Sequence, residues 1–142
     1  MKYRMATQAD CALLAGYNHQ LIQDEGHRNA ANIVELEERM RSWLAGPYRG
    51  VLFLKQRETV AYALYREDAD EIYLRHLFVV RNHRREGVGR VVIDILRSQI
   101  WPTHKRLTVE VLVRNTAAVA FWRSVGYQDY SLKMEIQARI GA

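Results

Sequence analysis

The chain has 142 residues, of which 49% are hydrophobic and 26% charged, and 21 Lys and Arg against 16 Asp and Glu give a formal net charge of +5. These values fit a single domain over residues 1–142 and exclude disordered, collagen-like and low-complexity proteins. The lone cysteine, Cys11, excludes an intramolecular disulfide and a cysteine-based zinc site, and no apolar run approaches the roughly 20 residues of a membrane span. The N-terminus also lacks the layout of a signal peptide, so we expect a cytoplasmic protein. From the absence of an apolar span and of further cysteines we expect no membrane partner and no bound metal.

The first half of the chain alternates between the helical and the strand pattern. Thr7 is a favourable N-cap residue, and apolar residues then recur at helical spacing as far as Leu21. Gly46 and Pro47 end a second amphipathic helix. The short loops between the following β-rich segments indicate antiparallel hairpins. The predicted elements are a strand at 2–6, two helices separated by a polar break at 24–29, and strands at 48–55, 60–66 and 71–80.

The second half alternates helices with strands. Because strand 71–80 reaches the next strand through a helix, the two strands should be parallel and the crossover right-handed. Together the elements predict an α/β fold, with a mixed sheet and helices on both faces. The predicted elements are a helix at 88–100 stopped by Pro102, a strand at 106–113, a helix from Asn115 to about Val125, and a closing strand at 127–136.

The segment R-R-E-G-V-G-R (84–90) stands where a predicted strand gives way to a helix. Glycines at such a turn let the backbone approach a ligand closely, and the unpaired N–H groups of a helix N-terminus attract anions. The segment is neither a Walker P-loop, since no Gly-Lys-Ser/Thr follows, nor a complete dinucleotide fingerprint, since position 92 is Val. It predicts a site for a small polyanion, with a solvated Arg-rich turn as the alternative.

Three segments carry a more specific resemblance. Arg84-x-x-Gly87-x-Gly89 resembles the acyl-CoA pyrophosphate signature of the GNAT-superfamily N-acetyltransferases, and N-T-A-A-V-A-F-W-R-S-V-G-Y (115–127) resembles a second motif of that family. The opening R-M-A-T-Q-A-D (4–10) is similar to the family's first strand and helix start. The resemblance implies a mixed, mostly antiparallel sheet of six to seven strands, with splayed parallel central strands that leave room for a thioester.

The same resemblance implies acetyl-CoA as cofactor. Backbone N–H groups of residues 85–90 would hold the pyrophosphate, and main-chain groups of Phe78 and Val80 would pair with the pantetheine arm. A backbone N–H near Val79 would stabilise the developing oxyanion, and the side chain of Asn115 would help to hold the pantetheine. The residues that the resemblance assigns to acetyl-CoA are Phe78, Val79, Val80, Arg84, Arg85, Glu86, Gly87, Val88, Gly89, Arg90, Asn115, Ala118, Phe121 and Trp122.

The candidate catalytic residues are less well specified. The family's frequent general acid is a Tyr at the position of Trp122, and an indole N–H is not a practical acid. The nearby Tyr127 and Tyr130 are possible substitutes, and water or the ammonium intermediate could also supply the proton. Tyr73 occupies the position at which several members place a Glu or His base. Strand alternation puts Tyr73 on one face and His76 on the other. The candidate catalytic residues are Glu25, Tyr73 and Tyr127.

The polar break D-E-G-H-R-N (24–29) is the candidate acceptor site. In the family this helix junction roofs the acceptor, where carboxylates would attract a cationic amine and Glu25 or His27 would take its proton. The alternative is a polar turn in which Asn29 caps the next helix. The candidate acceptor-binding residues are Asp24, Glu25, His27 and Asn29.

Three functions remain open at this point. The first is transfer of acetyl from acetyl-CoA to a primary amine of a small cationic acceptor, by direct attack in a ternary complex. The second is a catalytically silent acyl-CoA-binding regulatory module, suggested by Trp122. The third is nucleic-acid binding, which is not expected because the positive charge is concentrated near 81–90 instead of forming a broad stripe. The resemblance also allows a homodimer.

Overall fold

A five-stranded mixed sheet organises the chain in this computed structural model, which describes residues 1–26 and 28–140. Short 3-10 turns at Gln8–Asp10 and Arg81–His83 and a π-turn at Leu96–Ile100 extend the main elements. The main elements are β1 (Lys2–Met5), α1 (Cys11–Glu25), α2 (Ile33–Ala45), β2 (Tyr48–Lys55), β3 (Glu58–Glu67), β4 (Glu71–Val79), α3 (Val88–Ile95), β5 (Arg106–Val109) and α4 (Thr116–Ser124).

The strands lie in the order β1-β2-β3-β4-β5, and only β4 and β5 run parallel. This confirms the prediction that the strands on either side of α3 are parallel. The parallel pairing begins at Glu71 with Arg106 and ends at Leu74 with Val109, although β4 continues to Val79. Beyond Leu74, therefore, no described strand pairs with this edge of β4, and the chain after Val109 has left the ladder.

Helices cover both faces of the sheet, as the sequence predicts. On one face α1 and α2 pack on inward side chains such as Leu52, Tyr62 and Phe78. On the other face α3 and α4 pack on Val51, Phe53 and their neighbours. Because β2 and β3 are buried on both faces, nearly every residue in their middle is apolar, which stabilises the sheet by roughly 1.5–3 kcal/mol per fully buried large side chain.

The start of α1 is fixed to the sheet through Asp10. Its carboxylate accepts two hydrogen bonds from the Arg4 guanidinium, at 2.8 and 2.9 Å, and a third from the Thr7 N–H at 2.8 Å. The hydrogen bonds from Arg4 are the largest cause that keeps the pKa of Asp10 below its usual value, because they favour the charged carboxylate. This cluster ties β1 to the helix that leads to the candidate acceptor site.

The predicted count of six to seven strands is wrong, because no strand forms at 127–136 in the described chain. The alternating pattern is present there, but a strand also needs a neighbour to receive its backbone hydrogen bonds. β5 also ends at Val109 and not at residue 113, and it lies at the edge of the described sheet. The splayed parallel pair is therefore not central.

A β-bulge in β4 overturns the prediction of which face of the sheet His76 lies on. Leu64 pairs with His76 and Tyr65 with Leu74, so Arg75 is the extra residue of β4. The bulge shifts the alternation by one position and turns His76 towards α2, where its ring lies 5.3 Å from that of Trp43. His76 thus shares the α1 and α2 face with Tyr73, contrary to the prediction.

No helix in the described ranges has the length and apolar character needed to cross a membrane.

Candidate active site

The free edge of β4 forms one wall of the candidate site. The Val80 N–H donates to the Val60 carbonyl at 2.9 Å, so this N–H is used within the sheet and is not available to a pantetheine arm as expected. In an antiparallel ladder, hydrogen-bonding groups alternate between the two sides of a strand. The main-chain groups of Leu77 and Val79 therefore face the gap beside β5.

The turn before α3 presents backbone N–H groups at the same end of the sheet. Gly87 has φ +77°, in the left-handed region, and Arg85 has φ +63°. The first helical hydrogen bond runs from the Val91 N–H to the Gly87 carbonyl, so the preceding N–H groups of α3 have no acceptor within the helix. A Cβ on Gly87 would meet no atom within 4 Å, so the space before these groups is open. This geometry suits an anion.

Arg84 is held between β4 and α1. Its Nε donates to the Val79 carbonyl at 2.9 Å, its Nη2 donates to Asp24 Oδ2 at 2.6 Å, and its guanidinium lies 5.3 Å from the Phe78 ring centre. Asp24 also pairs with Arg81 at 3.3 Å. The structure therefore brings Asp24 to the turn predicted to bind an anion and pairs its charge with two arginines.

The other residues of the turn contact α4 or each other. Gly89 packs under Phe121, whose ring would lie 3.1 Å from an added Cβ, so this glycine permits close approach of α3 and α4. Arg90 Nη2 donates to Ser124 Oγ at 3.1 Å. The Val88 side chain is buried in the core, and Glu86 lies 3.3 Å from His83.

α4 is the next element of the chain after β5, and it begins at Thr116. The Asn115 side chain accepts a hydrogen bond from the Ala118 N–H at 3.2 Å and caps the helix. Trp122 packs edge-on against both Phe121 and Tyr127. Trp122 therefore occupies a packed aromatic cluster on the α3 and α4 face.

A histidine–tyrosine pair stands on the opposite face, on the free part of β4. The Tyr62 hydroxyl and His76 Nδ1 are 3.2 Å apart, and Tyr62 is fully buried. Burial raises the pKa of Tyr62 well above its usual value, and the negative charge of Glu25 raises it further. The structure thus pairs Tyr62 with His76, and of these residues and Glu25 the sequence had indicated only Glu25 as a candidate. The sequence does contain a signal that could have identified His76, since it is a titratable residue within a largely apolar strand.

Tyr73 and Tyr127 lie elsewhere. Tyr73 pairs with Thr108 in the closed part of the sheet, and burial, followed by the charge of Glu110, raises the pKa of its hydroxyl. Tyr127 lines a groove with Leu107, at the beginning of β5, and burial raises its pKa to about 12. Tyr127 is therefore at the end of β5 away from the gap.

The α1–α2 connection contains two of the remaining candidates. Asn29 Oδ1 accepts a hydrogen bond from the Ala31 N–H at 3.0 Å, whereas Asn32 caps α2 by accepting from the Glu35 N–H at 2.9 Å. His27 lies outside the described residues. Within the described ranges, no three His, Cys, Asp or Glu side chains come together as metal ligands.

Solved structures with the same fold include several acetyltransferases. A mutant of the BH1408 protein from Bacillus halodurans is 21% identical, with a TM-score of 0.79 over 98% of this chain and 100% of its own. The aminoglycoside 6'-N-acetyltransferase AAC(6')-IG from Acinetobacter haemolyticus is 17% identical, with a TM-score of 0.73 over 99% of both chains. A predicted acetyltransferase with acetyl-CoA from Clostridium acetobutylicum is 15% identical, with a TM-score of 0.72 over 96% of this chain and 95% of its own.

A family model shows the relationship in sequence as well as in fold. The model of the acetyltransferase (GNAT) domain matches residues 16–137, which include the β4 edge, the turn before α3 and the start of α4. The match thus contains both walls of the gap between β4 and β5. The chain belongs to the GNAT acetyltransferase family.

Proposed function

We propose that the protein transfers the acetyl group of acetyl-CoA to a primary amine of a small cationic acceptor, by direct attack in a ternary complex. The observation that carries this proposal is the gap between β4 and β5, which opens beside the N-terminus of α3. One long ligand with an anionic end and a polar, extended arm fits both features at once.

The residues at the gap fit acetyl-CoA. Backbone N–H groups at the start of α3 would hold the pyrophosphate, and the open space at Gly87 allows the approach. The main-chain groups of Leu77, which face the gap, would pair with the pantetheine arm as an added strand does, whereas the Val79 carbonyl already accepts a hydrogen bond from Arg84. The acetyl-CoA in the Clostridium acetobutylicum structure supports the same cofactor for this fold.

Acetyl-CoA, when bound, supplies an acetyl thioester that a neutral amine can attack. We propose that His76 takes the proton of the incoming amine, since it lies on the free part of β4 and on the face covered by α1. The buried Tyr62 hydroxyl fixes the orientation of the imidazole at Nδ1. The Val79 N–H, which faces the gap, would stabilise the negative charge that develops on the carbonyl oxygen.

The proposed acceptor is cationic because the α1 face combines negative charge with aromatic rings. Glu25 lies at the end of α1, and Tyr17 stacks on Phe78 with ring centres 5.2 Å apart. A carboxylate and aromatic rings on the same face of the sheet would each favour an ammonium ion. The activity named for the Acinetobacter haemolyticus relative supports aminoglycosides as the first acceptors to test.

The test combines calorimetric titration with acetyl-CoA and a thiol-release assay on a panel of amines. The panel contains aminoglycosides, polyamines, amino acids and a peptide with a free N-terminus. Saturable binding and acceptor-dependent release of CoA thiol are expected. Absence of acetyl-CoA binding would contradict the proposal.

A second candidate, a silent acyl-CoA-binding module, is favoured by one observation. Trp122 replaces the Tyr that frequently serves the family as general acid, and it is packed against Phe121 and Tyr127. Binding of acetyl-CoA without release of CoA thiol for any amine of the panel would favour this candidate.

A further inference from the structure

The bulge residue of β4, Arg75, is held against two aromatic side chains on the α1 and α2 face of the sheet. Its guanidinium lies 4.8 Å from the ring centre of Trp43 in α2 and 5.8 Å from that of Tyr48 in β2. Its Nη1 also donates a hydrogen bond to the Tyr48 hydroxyl at 3.2 Å. Arg75 nevertheless remains exposed, so part of the oriented guanidinium faces solvent. We call Trp43, Tyr48 and Arg75 the Arg75 cluster.

The Arg75 cluster carries an excess of positive charge. The Tyr48 hydroxyl accepts a second hydrogen bond, at 3.1 Å, from Nη1 of Arg66. Arg66 is compensated by Asp68, whose carboxylate lies 3.0 Å from Arg66 Nε. Arg75 forms no ion pair with a carboxylate within residues 1–26 and 28–140. Two guanidinium groups that meet at one oxygen, with only one of them compensated, favour an anion beside Arg75.

The Tyr48 hydroxyl supplies a hydrogen-bond donor at the same place. A phenol hydroxyl has one hydrogen to donate in addition to the lone pairs with which it accepts. Both arginines use the oxygen of Tyr48 as an acceptor, and in the described chain no group accepts its hydrogen. Tyr48 is only 6% exposed, so the position of this hydroxyl is fixed by the core. An anion at Arg75 would therefore find a second, oriented donor.

The Arg75 cluster adjoins the proposed base. The ring of His76 lies 5.3 Å from the same Trp43 ring that stacks on Arg75 at 4.8 Å. The imidazole and the guanidinium are thus no farther apart than these two distances taken together. A small molecule with an amine and an anionic group separated by a few bonds can reach both.

We propose that Arg75 binds a carboxylate of the acceptor whose amine lies at His76, so that the acceptor is an amino acid. This inference rests on the proposed function and narrows its acceptor. A planar guanidinium pairs with a carboxylate through two parallel hydrogen bonds, which makes Arg75 selective for this group. A diamino acid such as L-lysine also keeps the net positive charge proposed for the acceptor. Aminoglycosides and polyamines have no carboxylate and would leave Arg75 uncompensated.

The first experiment measures binding without transfer. L-lysine and L-lysinamide, which differ in the carboxylate, are titrated calorimetrically into the protein with CoA in place of acetyl-CoA. The unmodified chain should bind L-lysine about tenfold more tightly than L-lysinamide, and Arg75→Gln should reduce this preference to within about twofold. Arg75→Lys keeps the charge without the planar fork and should retain part of the preference.

Arg49→Gln is the matched control. Arg49 follows Tyr48 in β2 and is exposed, but strand alternation places it on the opposite face of the sheet, where its charge acts on Tyr65. The substitution removes the same charge and should leave the preference for L-lysine unchanged. Thermal melting of each variant shows whether it is folded under the conditions of the titration.

A steady-state assay of CoA thiol release separates positioning from binding. Arg75→Gln should raise the KM for L-lysine about tenfold and change the KM for L-lysinamide by less than about twofold. Tyr48→Phe preserves the shape of the core residue and removes only its hydroxyl, so it should raise the KM for L-lysine by a smaller factor.

Two results would overturn the carboxylate site. One is equal affinity of the unmodified protein for L-lysine and L-lysinamide. The other is an unchanged preference for L-lysine in folded Arg75→Gln, which would restrict Arg75 to packing on Trp43. The proposed function fails separately: L-lysine binding that depends on Arg75, without thiol release for any amine, would support the site and contradict acetyl transfer.

Discussion

Asp24 at the end of α1 accepts a hydrogen bond from Arg84 Nη2 at 2.6 Å, although the two residues are 60 positions apart in sequence. The contact joins the element expected to bind the acceptor to the turn expected to bind the pyrophosphate. It places a negative charge beside the anion site. The electrostatic role of Asp24 is therefore better tested with acetyl-CoA than with the amine.

The first prediction concerns Asp24→Asn. The substitution removes a negative charge and releases Arg84 and Arg81, so acetyl-CoA should bind about 1.4- to 5-fold more tightly, equivalent to roughly 0.2–1 kcal/mol for a partly exposed pair. Calorimetric titration at low ionic strength measures the change, and added salt should reduce it. Glu37→Gln, which breaks the Glu37–Arg41 pair on α2, is the control and should have no effect. A raised KM for the amine with unchanged acetyl-CoA affinity would instead make Asp24 an acceptor ligand.

The second prediction separates the two glycines of the turn. Gly87→Ala forces a left-handed conformation on alanine and fills the open space before the α3 amides. It should raise the Kd for acetyl-CoA about tenfold and cost about 1 kcal/mol of stability. Gly89→Ala brings a methyl group within 3.1 Å of the Phe121 ring, so it should cost about 1–2 kcal/mol of stability with little change in Kd for the folded protein.

Thermal melting and calorimetric titration of both glycine variants check this contrast. Each variant serves as the control for the other, because both add one methyl group to the same turn. Equal acetyl-CoA affinity in the two variants would show that the N-terminus of α3 does not hold the ligand.

The third prediction concerns proton transfer by His76. His76→Gln keeps a polar side chain of similar length but cannot accept the proton, so kcat/KM should fall about 100-fold. Tyr62→Phe removes only the positioning hydrogen bond and should cause a smaller fall. An unchanged kcat/KM in His76→Gln would exclude His76 as the base.

The fourth prediction concerns Tyr127→Phe. The Tyr127 hydroxyl is buried without a hydrogen-bond partner in the described chain, so its removal should stabilise the protein by about 1 kcal/mol and leave kcat within twofold. Since the folded pKa is about 12 and the ordinary value is 10, the unfolded chain loses this proton first as the pH rises. The free energy of unfolding should therefore decrease between pH 10 and pH 12, and less steeply in the variant. A large loss of activity would identify Tyr127 as the general acid.

The sequence predicted most of the fold because hydrophobic periodicity reports local structure. The three hairpin strands, the crossover helix and the glycine-containing turn before that helix all lie where their patterns indicate. The bulge at Arg75 could not be predicted, because one extra residue does not change the apolar character of the strand. The bulge places His76 on the opposite face of the sheet from the one predicted. Residues 127–136 show that alternation gives the preference for a strand but not the neighbour that the strand requires.

Only the part of the candidate site formed by backbone groups, the turn before α3, could be predicted from the sequence. Glycines and a helix start identify an anion site from a few consecutive residues. The pairings of Asp24 with Arg84 and of Tyr62 with His76 depend on elements that meet only in the folded sheet. Such long-range contacts decide which side chains are available for chemistry, and no local pattern encodes them.

The short parallel pairing of β5 also divides the sheet into parts of unequal local stability. β3 has antiparallel neighbours on both sides, whereas β5 is joined to the sheet by four residue pairs on one side. The amide hydrogens of β3 should therefore exchange with solvent only on global unfolding, and those of β5 through smaller opening events. The end of the sheet proposed to receive acetyl-CoA can thus loosen while the hairpin core stays folded.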